Sequence, residues 1–234
     1  MIDYLNTPVF VTGARRSGAS LIARIIRICG GFTGNVDKMM ENRALRYISM
    51  NYHTTIGADS KGQYPLPESS QITIPAQWQN QITSEIIKQG YDGKRLWLYK
   101  GTLICQAWPM WHYAFPSAKW IIVRRRPGDI AESCIKTTWM DAMKQEDIRN
   151  QIGVNSEHAG WIWWIREHEK RFVEMIEAGV NCKMIWPERM VQGNYQQIYE
   201  MLDWLKLKWT SKIVDEIDPM LWKSRQKHEK IWQE

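Results

Sequence analysis

Gly13-Ala14-Arg15-Arg16-Ser17-Gly18-Ala19-Ser20 lies between a short apolar run and a helix-patterned one. Its spacing fits G-x-x-x-x-G-x-[ST], the loop that wraps a phosphate between a strand and a helix. The backbone does the binding: amides of the turn and of the helix amino terminus converge on the anion, and the helix dipole favours it. Ala19 stands where nucleoside triphosphatases carry the lysine that reaches the β- and γ-phosphates, and no later strand ends in an aspartate suited to magnesium. Triphosphate chemistry is therefore disfavoured. Arg15 and Arg16 offer fixed positive charge in exchange, with no metal required. The blander alternative is a strand-to-helix turn with solvated arginines.

A second cluster has the same flavour. Arg124-Arg125-Arg126 is followed by Pro127-Gly128-Asp129 and, further on, by Ser133. Proline suits the first helical turn and an aspartate there complements the dipole, so part of the motif is a good helix start. Capping does not account for the arginines. Three guanidiniums at the end of a buried strand repel one another unless an anion or carboxylates offset them, and the Ser133 hydroxyl, about a turn into the helix, would reach the same anion. A second phosphate site beside the first is expected; the alternative is a solvated basic edge.

The elements that must hold these loops are legible as alternation. Pro8 to Thr12, Leu96 to Tyr99, Lys119 to Val123 and Cys182 to Trp186 are short and mostly apolar, as strands buried on both faces are. Helical patterns run over Ser20 to Cys29, Met40 to Met50, Pro75 to Gln89, Gln106 to Tyr113, Pro127 to Thr138, Ser156 to Ala178 and Tyr195 to Leu205. The expectation is an α/β fold: a central parallel β-sheet flanked by helices, with ligands at the carboxyl ends of the strands. One domain, 1–234, fits the length, and residues 51–73, rich in Gly, Pro, Ser and Thr, read as a lid or substrate loop. Within the longest helix, Trp161, Ile165, His168 and Phe172 share a face expected to pack on the sheet.

Composition bounds the rest. A net charge of +6 favours anionic ligands but is too mild to indicate nucleic acid by itself. No apolar run approaches the ~20 residues of a membrane helix, and the amino terminus lacks signal-peptide features. A cytoplasmic protein with no membrane span is expected. Cys29, Cys105, Cys134 and Cys182 form no C-x-x-C pair, which argues for buried thiols and against zinc or disulfides. His158, His168 and His228 lack metal-ligand spacing. Glu167, Glu169, Lys170 and Arg171 read as a solvated face, Glu188 as a loop anchor, and Lys223 to Lys230 as a solvated basic tail.

A lysine-less phosphate loop together with R-x-P-x-D-x-x-x-S over Arg125, Pro127, Asp129 and Ser133 resembles the sulfotransferases that use 3′-phosphoadenosine 5′-phosphosulfate (PAPS), bacterial members more than the cytosolic animal branch. The looser matches extend over most of residues 8–205. Lys100-Gly101-Thr102 is similar to the family's K-T-P or K-T-H segment, and Phe115-Pro116-Ser117-Ala118-Lys119 to its F-P-x-A-K. Trp186-Pro187-Glu188-Arg189-Met190 is similar to a degenerate Y-E-D-L. Glu41-Asn42-Arg43 falls in a segment, Gly34 to Leu45, that resembles bacterial members in which a glutamate after the first helix is the base.

The resemblance implies a fold of phosphate-loop type and PAPS as donor. It places the 5′-phosphosulfate on Arg16, Ser17, Gly18, Ala19 and Ser20, to which the loop's own charge adds Arg15, and the 3′-phosphate on Arg125 and Ser133. Arg16 and Lys100 would meet charge on the sulfuryl and bridging oxygens, and Glu41 is the base the resemblance points to, with His53 and His112 as the alternatives. The acceptor would be a hydroxyl or amine of a carbohydrate, lipid or small metabolite, with no nucleic acid as partner. The chain departs from the family at Ala19, at Leu21 where the animal branch stacks a tryptophan on adenine, and at Thr102 where that branch has its catalytic histidine. Two other functions remain open on sequence: a kinase that borrows a cation elsewhere, and a non-catalytic nucleotide or RNA binder.

Overall fold

The structure, a computed structural model, describes residues 3–217. The basic tail from Lys223 to Lys230 lies outside the described residues. Strand β1 (Val9–Thr12) leads into α1 (Ala19–Ile28), α2 (Arg43–Thr55) and α3 (Trp78–Lys88) before β2 (Leu98–Lys100). Two short helices, α4 (Leu103–Gln106) and α5 (Trp108–Ala114), precede β3 (Lys119–Val123). Then come α6 (Pro127–Ile135), α7 (Glu146–Gln151), α8 (Glu157–Glu177), β4 (Cys182–Ile185), α9 (Pro187–Val191), α10 (Gln196–Leu205) and α11 (Lys212–Asp215).

All four strands are parallel, in the order β2-β1-β3-β4, with Phe10 opposite Tyr99 on one side and Trp120 on the other. The chain leaves β1 for β2 on one flank and returns across it to β3. The topological switch point therefore lies between the carboxyl ends of β1 and β3, where parallel sheets open a crevice. Strand periodicity sorts the core into two layers. Phe10, Trp97, Tyr99, Trp120 and Ile122 face α3 and α5, with Trp111 and Phe115; Val9, Val11, Leu98, Ile121 and Val123 face α1 and α10, with Ile22, Ile26 and Leu202. Both faces are covered, which is why the strands read as apolar runs rather than alternating ones.

Several boundaries move. The second helix starts at Arg43, capped by the Asn42 side chain accepting from the Leu45 amide at 3.2 Å, and runs on to Thr55. Residues 51–55, expected in the lid or substrate loop, are thus helical, and Tyr52 and His53 are buried. Much of the remaining segment is pinned. The Gly62 carbonyl accepts from Gln106 Nε2 and Trp164 Nε1, both at 2.9 Å. Gln63 is buried and spans to Trp139, Asp141 and Ala142, and the Pro67 carbonyl accepts from Arg171. Arg171 is accordingly buried, not solvated as expected.

The shared face of α8 is buried as expected, together with Trp164, but Trp161, Trp164 and Ile165 pack on α6 rather than on the sheet; only Phe172 joins the sheet layer. His168 sits beneath the pinned segment, with Nδ1 against the Trp164 carbonyl at 2.9 Å and Nε2 against Gln106 at 3.1 Å. Burial lowers its pKa from 6.5 to about 4, and the charges of Arg171 and Arg15 act in the same direction. Between those values the unfolded chain binds a proton that the folded chain refuses, so stability falls as pH drops through the window and is unaffected by this group above it. Going from pH 7 to pH 5 should cost about 2 kcal/mol through His168. Urea unfolding at the two pH values should show this loss in the wild type and a clearly smaller one in His168→Leu.

Candidate functional site

The first loop is shaped by close packing at the switch point. A Cβ on Gly13 would lie 2.3 Å from the Val123 carbonyl oxygen, so only glycine lets the loop pass the end of β3. Arg16 (φ 72°) and Gly18 (φ 98°) both take the left-handed region, and the strain at a non-glycine residue is of the kind retained at ligand sites. Gly18 caps α1 without any side-chain hydrogen bond, and no acidic residue occupies the first turn. The positive end of a ten-residue helix thus faces the crevice with its amides and no acidic residue in its own first turn. Ala19 is buried against the α1 layer, while the Ser20 hydroxyl donates to the Met39 carbonyl at 2.9 Å. Ser20 therefore offers its amide, not its hydroxyl, to a ligand.

The second motif meets the first directly. Arg16 Nε donates to Ser133 Oγ at 2.9 Å, and Arg125 NH1 donates to the Arg16 carbonyl at 3.2 Å. Arg125 Nε lies 4.0 Å from Asp129 and 3.9 Å from Glu188. Burial pulls the Arg125 guanidinium below its ordinary pKa while those two carboxylates oppose the shift; burial also raises Glu188. A partly desolvated cation of this kind gains more from an anion than a solvated one does.

The three arginines go separate ways. Arg124 pairs with Glu169 and lies 4.7 Å from the Trp186 ring centroid, and Arg126 is the exposed cap of α6. Only Arg125 serves the crevice. Behind it, Cys134 is buried, with its pKa pushed up to about 12 by that burial; Cys105 is likewise buried, whereas Cys29 and Cys182 are only partly so.

β2 supplies the third component. Lys100, its last residue, is 6% exposed, and its ammonium donates to Glu41 Oε1 at 2.8 Å and to the Met39 carbonyl at 3.3 Å. Glu41 precedes the α2 cap and so is not the first-turn, dipole-complementing residue that the expected helix boundary allowed. Arg46, on the next turn of α2, approaches its other oxygen at 3.5 Å. Asp37 ties this segment together: Oδ1 accepts from the amides of Met39 at 2.8 Å and Glu41 at 3.0 Å, and Oδ2 pairs with Arg46 at 3.0 Å. Thr12 donates to the Gly101 carbonyl at 2.9 Å, which keeps the ends of β1 and β2 in register.

Arg16, the 17–20 turn, Glu41, Lys100 and Arg125 line one cavity of about 900 Å³, and Ser133 stands behind its wall, reached through Arg16. Such a volume is ample for a nucleotide-sized ligand. The fold is that of solved bacterial sulfotransferases. The chain is similar to a sulfotransferase from Alicyclobacillus acidocaldarius at a TM-score of 0.53, with 14% identity over 90% of this chain and 89% of that one. A sulfotransferase from Mycobacterium tuberculosis is similar at a TM-score of 0.48, with 12% identity over 90% of this chain and 70% of that one. No protein-family model and no curated protein matches the chain.

Of the three candidate bases, Glu41 alone lines the cavity. His53 is buried inside α2 with Nδ1 against the Ser49 carbonyl at 2.9 Å, and His112 lies on α5 beside Trp108. Burial lowers the pKa of both. Arg15 diverges from the rest of its loop: NH2 donates to the Lys61 carbonyl at 2.6 Å and the guanidinium lies 5.1 Å from the Trp139 ring centroid. Sequence reading missed Asp37, Arg46 and Lys61. Nothing local marks them, because each acts through a partner set by the packing of α2 and the 51–73 segment. No described helix is long and apolar enough to cross a membrane.

Proposed function

We propose that this protein is a sulfotransferase that takes PAPS as its donor substrate and passes the sulfuryl group to a hydroxyl or amine on a small-molecule or glycan acceptor. The observation that carries this reading is the direct contact between the two phosphate motifs, Arg16 to Ser133 and Arg125 to Arg16, at the switch point of the sheet. A single phosphate needs one such loop; two loops joined by their own arginine suit a ligand with phosphates at both ends of a nucleoside. The residues fit the donor: an uncapped helix amino terminus without acids, a half-buried Arg125, and a cavity wide enough for both.

In-line displacement asks the protein to position two reactants, neutralise the leaving oxygen and remove one proton. Amides of Gly18 to Ser20 hold the 5′-phosphate, the Ser17 amide being bonded to the Ala14 carbonyl at 3.1 Å, and Arg125 with Ser133 holds the 3′-phosphate. Arg16 and Lys100 offset charge at the sulfuryl and bridging oxygens, where it grows as the bond breaks. Glu41 takes the acceptor proton, a role it can fill only once Lys100 turns from it toward the donor. The base and the leaving-group cation are hydrogen-bonded to each other here, so donor binding both recruits Lys100 and releases Glu41.

Calorimetric titration with adenosine 3′,5′-bisphosphate (PAP) and, separately, ATP with magnesium tests the donor. The expected result is one bisphosphate site with ATP much weaker. Absence of bisphosphate binding sinks the reading and brings forward the kinase; salt-steep RNA binding in its place would favour the non-catalytic binder.

A further inference from the structure

Beside the main cavity lies a second of about 170 Å³, and Arg15, Glu41, Arg46 and Thr102 line both. Its wall carries three cations, Arg15, Arg46 and Lys61, against a single carboxylate, Glu41. That carboxylate is shared between Lys100 at 2.8 Å and Arg46 at 3.5 Å. Two further acids act from outside the wall: Asp37, whose Oδ2 lies 3.0 Å from Arg46, and Asp59, which accepts from the Gln63 amide at 2.8 Å and acts on Arg15. Arg15 itself is costly to place here: burial is the main influence on it, lowering its pKa, and its Nε has no hydrogen-bond partner among the described residues. Arg15 was expected on the donor as a fixed cation of its loop. Its NH2 donates to the Lys61 carbonyl on the smaller space, while its guanidinium lies against Trp139 on the wall of the larger one, so it stands between the two. Apolar groups of Met50, Tyr99 and Leu103 complete the wall.

We propose that this pocket is the acceptor site and that it selects an anionic acceptor: a small alcohol or amine that also bears a carboxylate or phosphate. The assignment rests on the sulfotransferase reading. The acceptor's anion sits among Arg15, Arg46 and Lys61, and its hydroxyl reaches Glu41 on the shared wall. The hydroxyl proton passes to Glu41 and the oxygen bonds sulfur as the bond from sulfur to the bridging oxygen breaks, its electron pair leaving on the phosphate of PAP. A neutral acceptor would bring no negative charge to the desolvated Arg15 cation, with which an anion forms the stronger, charge-assisted bond.

The experiment compares matched pairs with labelled PAPS: glycerol and glycerol 3-phosphate, glucose and glucuronate, 4-hydroxybenzamide and 4-hydroxybenzoate. In every pair that turns over, the anionic member should have the higher kcat/KM by about tenfold or more. Lys61→Gln should shrink that ratio to within a few-fold, with PAP affinity unchanged. Equal or better turnover of the neutral members overturns the proposal, as does a ratio that Lys61→Gln leaves intact. Binding supplies the second arm, in which the PAP-saturated protein is titrated with the same compounds. If none of the acids binds more tightly than its neutral partner, the proposal fails even where no pair turns over. Preference for the phosphate ester over the two carboxylates, or the reverse, identifies which anion is read. A protein that does not bind PAP fails the donor reading instead, and the acids titrated alone still report on the cationic pocket.

Discussion

Lys100→Met should lower kcat with PAPS by about 10²–10³-fold while PAP affinity falls less than tenfold, because the ammonium acts mainly on charge that develops as the bond breaks. The structure makes the comparison demanding. Lys100 and Glu41 form a buried pair at 2.8 Å, and removing one partner of such a pair commonly costs ~3–5 kcal/mol of stability. Arg46 remains 3.5 Å from Glu41, so the carboxylate keeps one cation and the cost should lie at or below the lower end. A loss of fold is separated from a loss of chemistry by Glu41→Gln and by the double variant. Unfolding experiments should find the double variant more stable than Lys100→Met alone, since no buried charge is then left behind. Kinetics should find it no worse than the poorer single variant by more than a few-fold, because base and leaving-group cation serve one transition state. An unchanged kcat in Lys100→Met, or a PAP affinity that falls in parallel with kcat, would remove Lys100 from the chemistry.

The parts of this site that were legible in sequence are those in which chemistry and chain direction coincide. The loop from Gly13 to Ser20 and the run from Arg125 to Ser133 each sit at a strand end and a helix start, so their residue types report their own geometry. The four strands were legible for the same reason: a buried parallel strand is a short apolar run bounded by turn residues. Arg124 shows the limit. Its sequence context matches that of Arg125, yet strand alternation sends its side chain to Glu169 and Trp186 instead of the crevice.

Longer-range partners were not readable at all. Arg171 sits in a charged run that resembles a solvated face, and only the Pro67 carbonyl and Glu174 explain its burial. The 51–73 segment has loop composition, but its order comes from side chains far along the chain, Gln106, Trp164 and Arg171, that donate to its carbonyls. Glu41 gained its cation partners in the same way. A carboxylate placed before a helix is unremarkable until the ends of β2 and α2 bring Lys100 and Arg46 to it.

Arg125→Ala should weaken PAP binding by about 100-fold, toward the upper end of what losing a charge-assisted hydrogen bond costs. The reason lies in what stays behind. Asp129 and Glu188 both approach Arg125 within 4.0 Å, and without the guanidinium their negative charge would face the incoming phosphate. Arg125→Lys restores charge but not the fork that bonds the Arg16 carbonyl while facing a ligand, so it should recover only part of the affinity. Ser133→Ala removes a neutral hydroxyl and should cost about 2–12-fold. The Arg16 side chain donates to Ser133 across the two motifs, so the Arg16→Ala and Ser133→Ala effects should combine less than additively in a double-mutant cycle read by calorimetry. Full additivity would mean that the two anion loops act independently. A bisphosphate affinity indifferent to Arg125→Ala would mean that the second loop is a helix start and nothing more, and the sulfotransferase reading would lose the observation that carries it.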